Sequence, residues 1–372
     1  MYRLISLFVI AGLAGAQPRP QPPKIQDTIV SPEVLPDGKV IFRLFAPKAS
    51  EAFLRGEWME GATRVALARG SEDGIWATTI EGLEPNIYSY SFIVDGMSVS
   101  DPRNPRLKLG VRGYTSLVEI PGTPPQPWEL QSVPHGTVHA HWYASTATNT
   151  TRRFHVYTPP GYEATKARHP VLYLLHGAGD TDYEWVDTGR ANRIFDNLIA
   201  QGKAKPMIVV MPDGHAVPAS APPESRTRNT EVFGKDLIEN VIPLVERTYR
   251  ASPRREDRAI AGLSMGGGQS LEVGLGNLDR FSHIGVFSMG LRGDDFLKRH
   301  EKVFSKPEAA NKQLKLFWIA CGEKDFLWQA AEKLDSTLTA QKIQHTFKKT
   351  PGAHTWVVWR IYLSEFGTLL FR

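Results

Sequence analysis

The sequence predicts a small antiparallel all-β sandwich followed by a larger α/β domain. Three observations support this. Up to Pro121, short runs rich in aromatic and β-branched residues are separated by turn signals, with no helical pattern between them. Beyond it, near-continuous apolar runs alternate with helix-like segments, the pattern of parallel strands covered on both faces. The length, 372 residues, accommodates two or three domains at roughly 100–200 residues each.

At the amino terminus, Arg3 supplies a positive charge, Leu4 to Leu13 an apolar core and Ala14-Gly15-Ala16 a small-x-small cleavage site. Residues 1–16 are therefore expected to be a secretory signal peptide. The apolar run is shorter than the ~20 residues a spanning helix needs, so the mature chain is expected off the membrane, secreted or periplasmic. Residues 17–27, which contain Gln17 to Pro23, read as a Pro-rich tether.

The sandwich is expected over residues 28–121. Its strands are Val40–Phe45, Glu51–Arg55, Gly74–Ile80 and Ile87–Val94, with turns at Pro36-Asp37-Gly38, Glu72-Asp73-Gly74, Pro85-Asn86 and Asp95-Gly96. Pro121-Gly122-Thr123-Pro124-Pro125 opens a linker over residues 122–135. The α/β domain occupies residues 136–372. Its apolar strands are Val171–Leu175, Met207–Met211, Arg258–Gly262, Ile284–Ser288 and Leu316–Ala320, with helical patterns such as Arg190–Gln201 and Lys235–Tyr249 between them.

Composition narrows the function. Hydrophobic residues at 41% and charged residues at 22% are ordinary globular values. The net charge of +5 is not gathered into one basic block, which gives no support to nucleic-acid binding. Cys321 is the sole cysteine, which excludes an intrachain disulfide and a multi-cysteine metal site. No H-E-x-x-H pattern occurs, and no G-x-G-x-x-G follows the first strong strand, so neither a metal nor another cofactor is expected.

Gly262-Leu263-Ser264-Met265-Gly266 matches G-x-S-x-G, in which a sharp strand-to-helix turn holds a serine at its tip. An apolar strand leads in, and Gly267 to Leu271 lead into a helical pattern, which is the context the motif requires. The hydroxyl needs a base, and the base an orienting acid, in the order Ser, Asp or Glu, His. Among the later histidines, His300 lies in a charged stretch expected to be a solvated helix. His345 lies in a strand-like run and His354 in the loop after it. That loop is where the base must sit, which selects His354. Asp325 follows the Leu316–Ala320 strand through a Gly turn and is the expected acid, with Glu323 the alternative and Asp294 and Asp295 less well placed. Backbone N–H groups of Met265 and Ala178 are the expected oxyanion donors. His176 is read as a structural hydrogen-bonding residue and Cys321 as an inert core thiol.

The first domain resembles carbohydrate-binding module family 48, an immunoglobulin-like sandwich, through Gly56-Glu57-Trp58, Asp73-Gly74-Ile75-Trp76, Tyr88 to Phe92, Asp95-Gly96 and Asp101-Pro102. Trp58, Trp76, Tyr88 and Tyr90 are its candidate sugar-stacking residues, or else its core. The second domain resembles carbohydrate esterase family 1, the esterase D-like branch of the α/β-hydrolases. The matching residues are Tyr173 to Gly179, Trp185, Met211 to Gly214, Gly262 to Gly266, Gly322 to Asp325 and His354 to Arg360. The resemblance implies a Ser264–His354–Asp325 triad and a feruloyl or acetyl ester of a xylan-type polysaccharide as substrate. Trp185, Asn229 and Trp356 are candidates for lining its site. Siderophore esterases share the two-domain layout and are one alternative. A catalytically inactive glycan-binding protein is another.

Overall fold

The computed structural model describes residues 25–70, 74–111, 113–218, 220–291, 293 and 295–372. The expected signal peptide, most of the tether, Asp73 and Asp294 lie outside them. Ile25–Thr28, at the tether's end, forms a single helical turn.

The first domain is a two-sheet antiparallel sandwich. One sheet runs β1 (Glu33–Val34), β2 (Val40–Phe45), β6 (Ile75–Ile80), β5 (Ala68–Arg69). The other runs β4 (Val65–Ala66), β3 (Ala52–Gly56), β7 (Asn86–Val94), β10 (Gly113–Ile120), β9 (Leu107–Gly110), and β8 (Met97–Val99) pairs with β7. Strict alternation drives this packing: in β2 Val40, Phe42 and Leu44 point inward while Ile41, Arg43 and Phe45 do not. Trp76, Tyr88 and Tyr90 are buried in this core. Trp58 packs against it, stacked on Phe42 at 5.8 Å between ring centroids. Three of the four candidate stacking aromatics are therefore structural, because a sandwich of this size must spend its large rings on its own core.

The second domain holds an eight-stranded sheet in the order β11 (Thr137–Ser145), β12 (Thr150–Thr158), β14 (Ile208–Pro212), β13 (Val171–Leu175), β15 (Arg258–Leu263), β16 (His283–Phe287), β17 (Leu316–Gly322), β18 (Thr346–Thr350). From β14 to β18 the strands are parallel, and β12 pairs antiparallel with both β11 and β14. Both faces are covered. In β15, Ile260 joins one core, while Ala259, Ala261 and Leu263 join the other. That double burial is why the parallel strands read as unbroken apolar runs. β11 and β12 carry no such run: β11 lies at the sheet's edge, exposed or half-buried except at Tyr143 and Ser145, and His139 and His141 interrupt it.

The segment expected to link the domains is packed rather than free. Trp128 is buried in the same core as Trp185 and Phe195, and Glu129 accepts from the Gly122 amide at 2.7 Å. Asn197 donates to the carbonyls of Pro127 and Glu129 at 2.8 and 2.9 Å. Ile87 and Leu117 of the sandwich enter that core too, so the two domains share apolar packing. Among the described residues, no helix is long and apolar enough to cross a membrane.

Candidate active site

The parallel strands deliver the candidate residues to one rim of the sheet. Ser264 ends β15, Asp325 follows β17 and His354 follows β18. Ser264 has φ 52° and ψ −117°, a strained conformation held by its N–H donating to Phe287 O at 2.9 Å and its carbonyl accepting from Gly268 N–H at 3.0 Å. The turn needs glycine on both sides: a Cβ on Gly262 would lie 2.6 Å from Gly266 backbone, and one on Gly266 would lie 2.6 Å from Leu175 and His176 carbonyls. The helix Met265–Gly276 starts immediately after, which aims the Met265 amide outward at a positive helix end.

His354 Nδ1 lies 3.0 and 2.9 Å from the two carboxylate oxygens of Asp325. The Asp325 carboxylate is fully buried and also accepts from Leu327 N–H at 2.8 Å. Burial alone would raise its pKa, but the hydrogen bond and charge of His354, with Leu327 and Ser288, bring it below the usual carboxylate value. A buried, ionised acid on Nδ1 turns Nε2 outward as the acceptor. Phe326 and Trp359 flank the imidazole with centroids 4.4 and 5.0 Å away, and Trp359 Nε1 donates to Ser288 Oγ at 2.9 Å. Phe326, Ser288 and Trp359 are site residues that the sequence reading did not single out. Trp359 lies in the same short segment as His354, the one signal that could have found it.

The other candidates fall elsewhere. Glu323 is exposed, its amide donating to Thr350 O. Asp295 pairs with Arg299. His300 is buried, not solvated, and contacts Glu272 Oε2 at 2.9 Å; its short helix folds back on the domain. His345 lies just before β18 and is held by Asp335 at 2.9 Å. His176 is buried, with Nδ1 on Gly177 O at 2.8 Å and Nε2 accepting from Gly214 N–H at 2.9 Å, so it ties two loops together. Cys321 is buried, and burial with the nearby Asp325 charge pushes its thiol up to about 12.

Trp185 and Trp356 do not line a site. They are 1% and 3% exposed and meet edge to face at 4.9 Å. Trp185 Nε1 donates to Leu175 O at 2.9 Å, bracing the strand before the Gly177–Asp180 turn. Asn229 bridges loops: its Nδ2 donates to Gly214 O and its Oδ1 accepts from Val217 N–H, each at 2.9 Å. The space beside Ser264 is built by other segments. A cavity of about 930 Å³ is lined by Ala178, Ser264, Met265, Gly268, Leu271, Met289 and Leu291, with Thr230, Ile238 and a charged outer part.

Ala178 is exposed on the Gly177–Asp180 turn, while Glu184, further along the chain, is fully buried. Glu184 Oε2 accepts from Thr188 Oγ1 at 2.6 Å, while Oε1 has no hydrogen-bond partner among the described residues. Burial raises its pKa from 4.5 to about 7, against the opposing effects of Thr188 and Lys108. The folded chain thus holds this proton more tightly than the unfolded chain does. Its contribution is present below the unfolded value and is lost as pH rises through about 7. The unfolding free energy from urea titrations is expected to fall over that interval by on the order of 3 kcal/mol, and Glu184→Gln to flatten the slope. An unchanged slope in the variant would count against this assignment.

A strained serine at a strand-to-helix turn, on a mostly parallel sheet with a His–Asp pair on the same rim, defines the α/β-hydrolase class. Residues 145–366, more than half the chain, match the family model described as "Putative esterase", and the chain belongs to that esterase family. Residues 30–108 match the carbohydrate-binding module 48 model, the isoamylase N-terminal domain. An endo-1,4-beta-xylanase/feruloyl esterase of Xylanibacter ruminicola is 29% identical over 348 residues, covering 92% of this chain but 46% of that protein. The iron(III) enterobactin esterase of Escherichia coli CFT073 is 23% identical over 276 residues, 71% of this chain and 65% of its own. Among solved structures, a ferulic acid esterase from Anaeromyces mucronatus superposes with TM-score 0.58 at 27% identity, covering 65% of this chain and 93% of that one. The Shigella flexneri enterobactin esterase reaches 0.67 at 18% identity over 89% and 92%, a likeness of fold. The chain thus spans about half the length of the first of these relatives.

Proposed function

We propose that this chain is an exported serine esterase that removes feruloyl, or acetyl, groups from xylan-type plant polysaccharides. The observation that carries the reading is the His354–Asp325 pair on the rim where Ser264 opens into the large cavity. In this mechanism Ser264 Oγ attacks the ester carbonyl carbon while His354 Nε2 takes the hydroxyl proton. The carbonyl oxygen becomes an oxyanion facing the Met265 and Ala178 amides. The sugar oxygen then departs with the proton from His354, leaving an acyl-serine. A water molecule, deprotonated by His354, attacks that acyl carbon and frees the acid, and the proton returns to Ser264. Asp325 stays ionised throughout and stabilises the imidazolium.

The cavity favours an aryl-bearing acyl group. Its inner part is lined by Met265, Leu271, Met289 and Leu291, and about 930 Å³ far exceeds what an acetyl group fills. Methyl ferulate turnover with acetylated xylan as comparator tests this. Met289→Trp is expected to lower kcat/KM for the ferulate about 10-fold while acetyl turnover stays within about 3-fold. Equal losses on both esters would sink the aryl assignment. The siderophore reading would favour a cationic pocket. Here Arg226, Lys235 and Arg299 are matched by Glu231, Glu239 and Glu272. Cleavage of a ferric catecholate ester with methyl ferulate left intact would reverse that preference. Retention on xylan without any ester turnover would favour the inactive glycan-binding reading.

A further inference from the structure

The expected oxyanion loop has almost no side chains of its own. Gly177, Ala178 and Gly179 carry none that could anchor it, so its shape depends on what holds its backbone. Inside the turn, Asp180 N–H donates to Gly177 O at 3.1 Å and Asp180 Oδ2 accepts from Gly177 N–H at 3.3 Å. The loop lies against the nucleophile: a Cβ on Gly177 would sit 3.6 Å from Ser264 Cβ.

Two further holds come from the other domain. Lys108 Nζ, on β9 of the sandwich, donates to Asp180 Oδ1 at 2.7 Å, and both side chains are largely dry at 18% and 6% exposure. Val111 N–H, from the turn after β9, donates to Gly179 O at 3.1 Å. The approach is close enough that a Cβ on Gly110 would lie 3.0 Å from that same oxygen. Burial alone would lower the Lys108 pKa, but the Asp180 carboxylate outweighs it and raises the value, so the ammonium stays charged. The sandwich reaches the base loop as well: Glu57 Oε1 accepts from Trp356 N–H at 2.8 Å, two residues after His354.

We infer that the sandwich domain sets the geometry of the oxyanion loop, with Lys108 as a positioning residue that acts through Asp180. The inference rests on the esterase reading above. It differs from a glycan-binding role because it requires the sandwich for turnover of a small soluble ester that no polysaccharide site could bind. An oxyanion donor displaced by about 1 Å costs up to ~100-fold in rate, since its hydrogen bond is made fully only in the transition state.

The test uses the full chain with methyl ferulate and 4-nitrophenyl acetate as substrates and phenylboronic acid as the tetrahedral probe. Lys108→Met is expected to lower kcat by ~10–100-fold with KM within about 2-fold, and to weaken boronate binding in proportion. Lys108→Arg is expected to recover most of the loss. Because Lys108→Met leaves a buried carboxylate unpaired, Lys108→Met/Asp180→Asn provides a better-folding partner, and it should lose no more than the single variant. Lys39→Ala, which removes an exposed ammonium paired with Asp37 and Glu81 within the sandwich, should leave kcat unchanged. The inference is overturned if the folded Lys108 variants keep wild-type kcat on the soluble esters, or if the loss lies wholly in KM. A wild-type protein inert on every ester would instead sink the esterase reading itself.

Discussion

Ser264→Ala is expected to lower kcat on methyl ferulate by ~10⁴-fold or more while the unfolding free energy in urea stays within about 1 kcal/mol of wild type. The magnitude follows from what the hydroxyl does. Without Oγ no acyl-enzyme forms, and the cavity and oxyanion donors alone leave only a small residual rate over water. The stability expectation follows from the turn. Its shape is set by backbone hydrogen bonds to Phe287 and Gly268 and by the glycines at 262 and 266, none of which the substitution touches. Stopped-flow with a chromogenic ester checks the first part, and a burst retained in the variant would show that another nucleophile carries the chemistry. Cys321 is no substitute, being buried and with its thiol held up near about 12.

Arg360→Ala is expected to be the most destabilising single change, by about 3–5 kcal/mol in urea unfolding. Arg360 is completely buried and its guanidinium joins the two domains. It donates to Asn86 Oδ1 at 3.0 and 2.8 Å and to Ile87 O on the sandwich side, and to Thr188 O at 2.9 Å on the other. Burial lowers its pKa to about 10, which still leaves it charged at neutral pH. All four hydrogen bonds run to neutral acceptors, so alanine would strand those acceptors and open a cavity. A loss of unfolding free energy below about 1 kcal/mol would show that the interface does not depend on this residue.

Much of the site was legible because its logic is local. The G-x-S-x-G turn demands glycine at 262 and 266 for steric reasons that three-dimensional context cannot relax. Asp325 follows an apolar strand and His354 a short polar one, and parallel strands deliver their carboxyl ends to one rim whatever the helices do. The edge strand β11 was not legible, since an edge needs no apolar run, nor was β12, where Arg152, Arg153 and His155 break the apolar run. Trp185 and Trp356 misled for a related reason: a tryptophan in a family-like segment reads the same whether it lines a cleft or braces a strand. His300 misled because its charged neighbours hide the one face that turns inward.

By itself, the sequence determined the class of fold and the order of the two domains, and it named the candidate nucleophile Ser264 and the His354 and Asp325 that the structure pairs on the same rim. These depend on periodicity, steric demands and chain order, which are short-range properties. The tertiary structure alone decided that the linker packs, that the sandwich aromatics are mostly core, that Lys108, Val111 and Glu57 join the sandwich to the loops near Ser264 and His354, and that Arg360 joins it to Thr188. Those contacts connect residues 68 to 299 positions apart in the chain. They form only when two separately patterned surfaces meet, and no local pattern encodes which polar groups will then face each other.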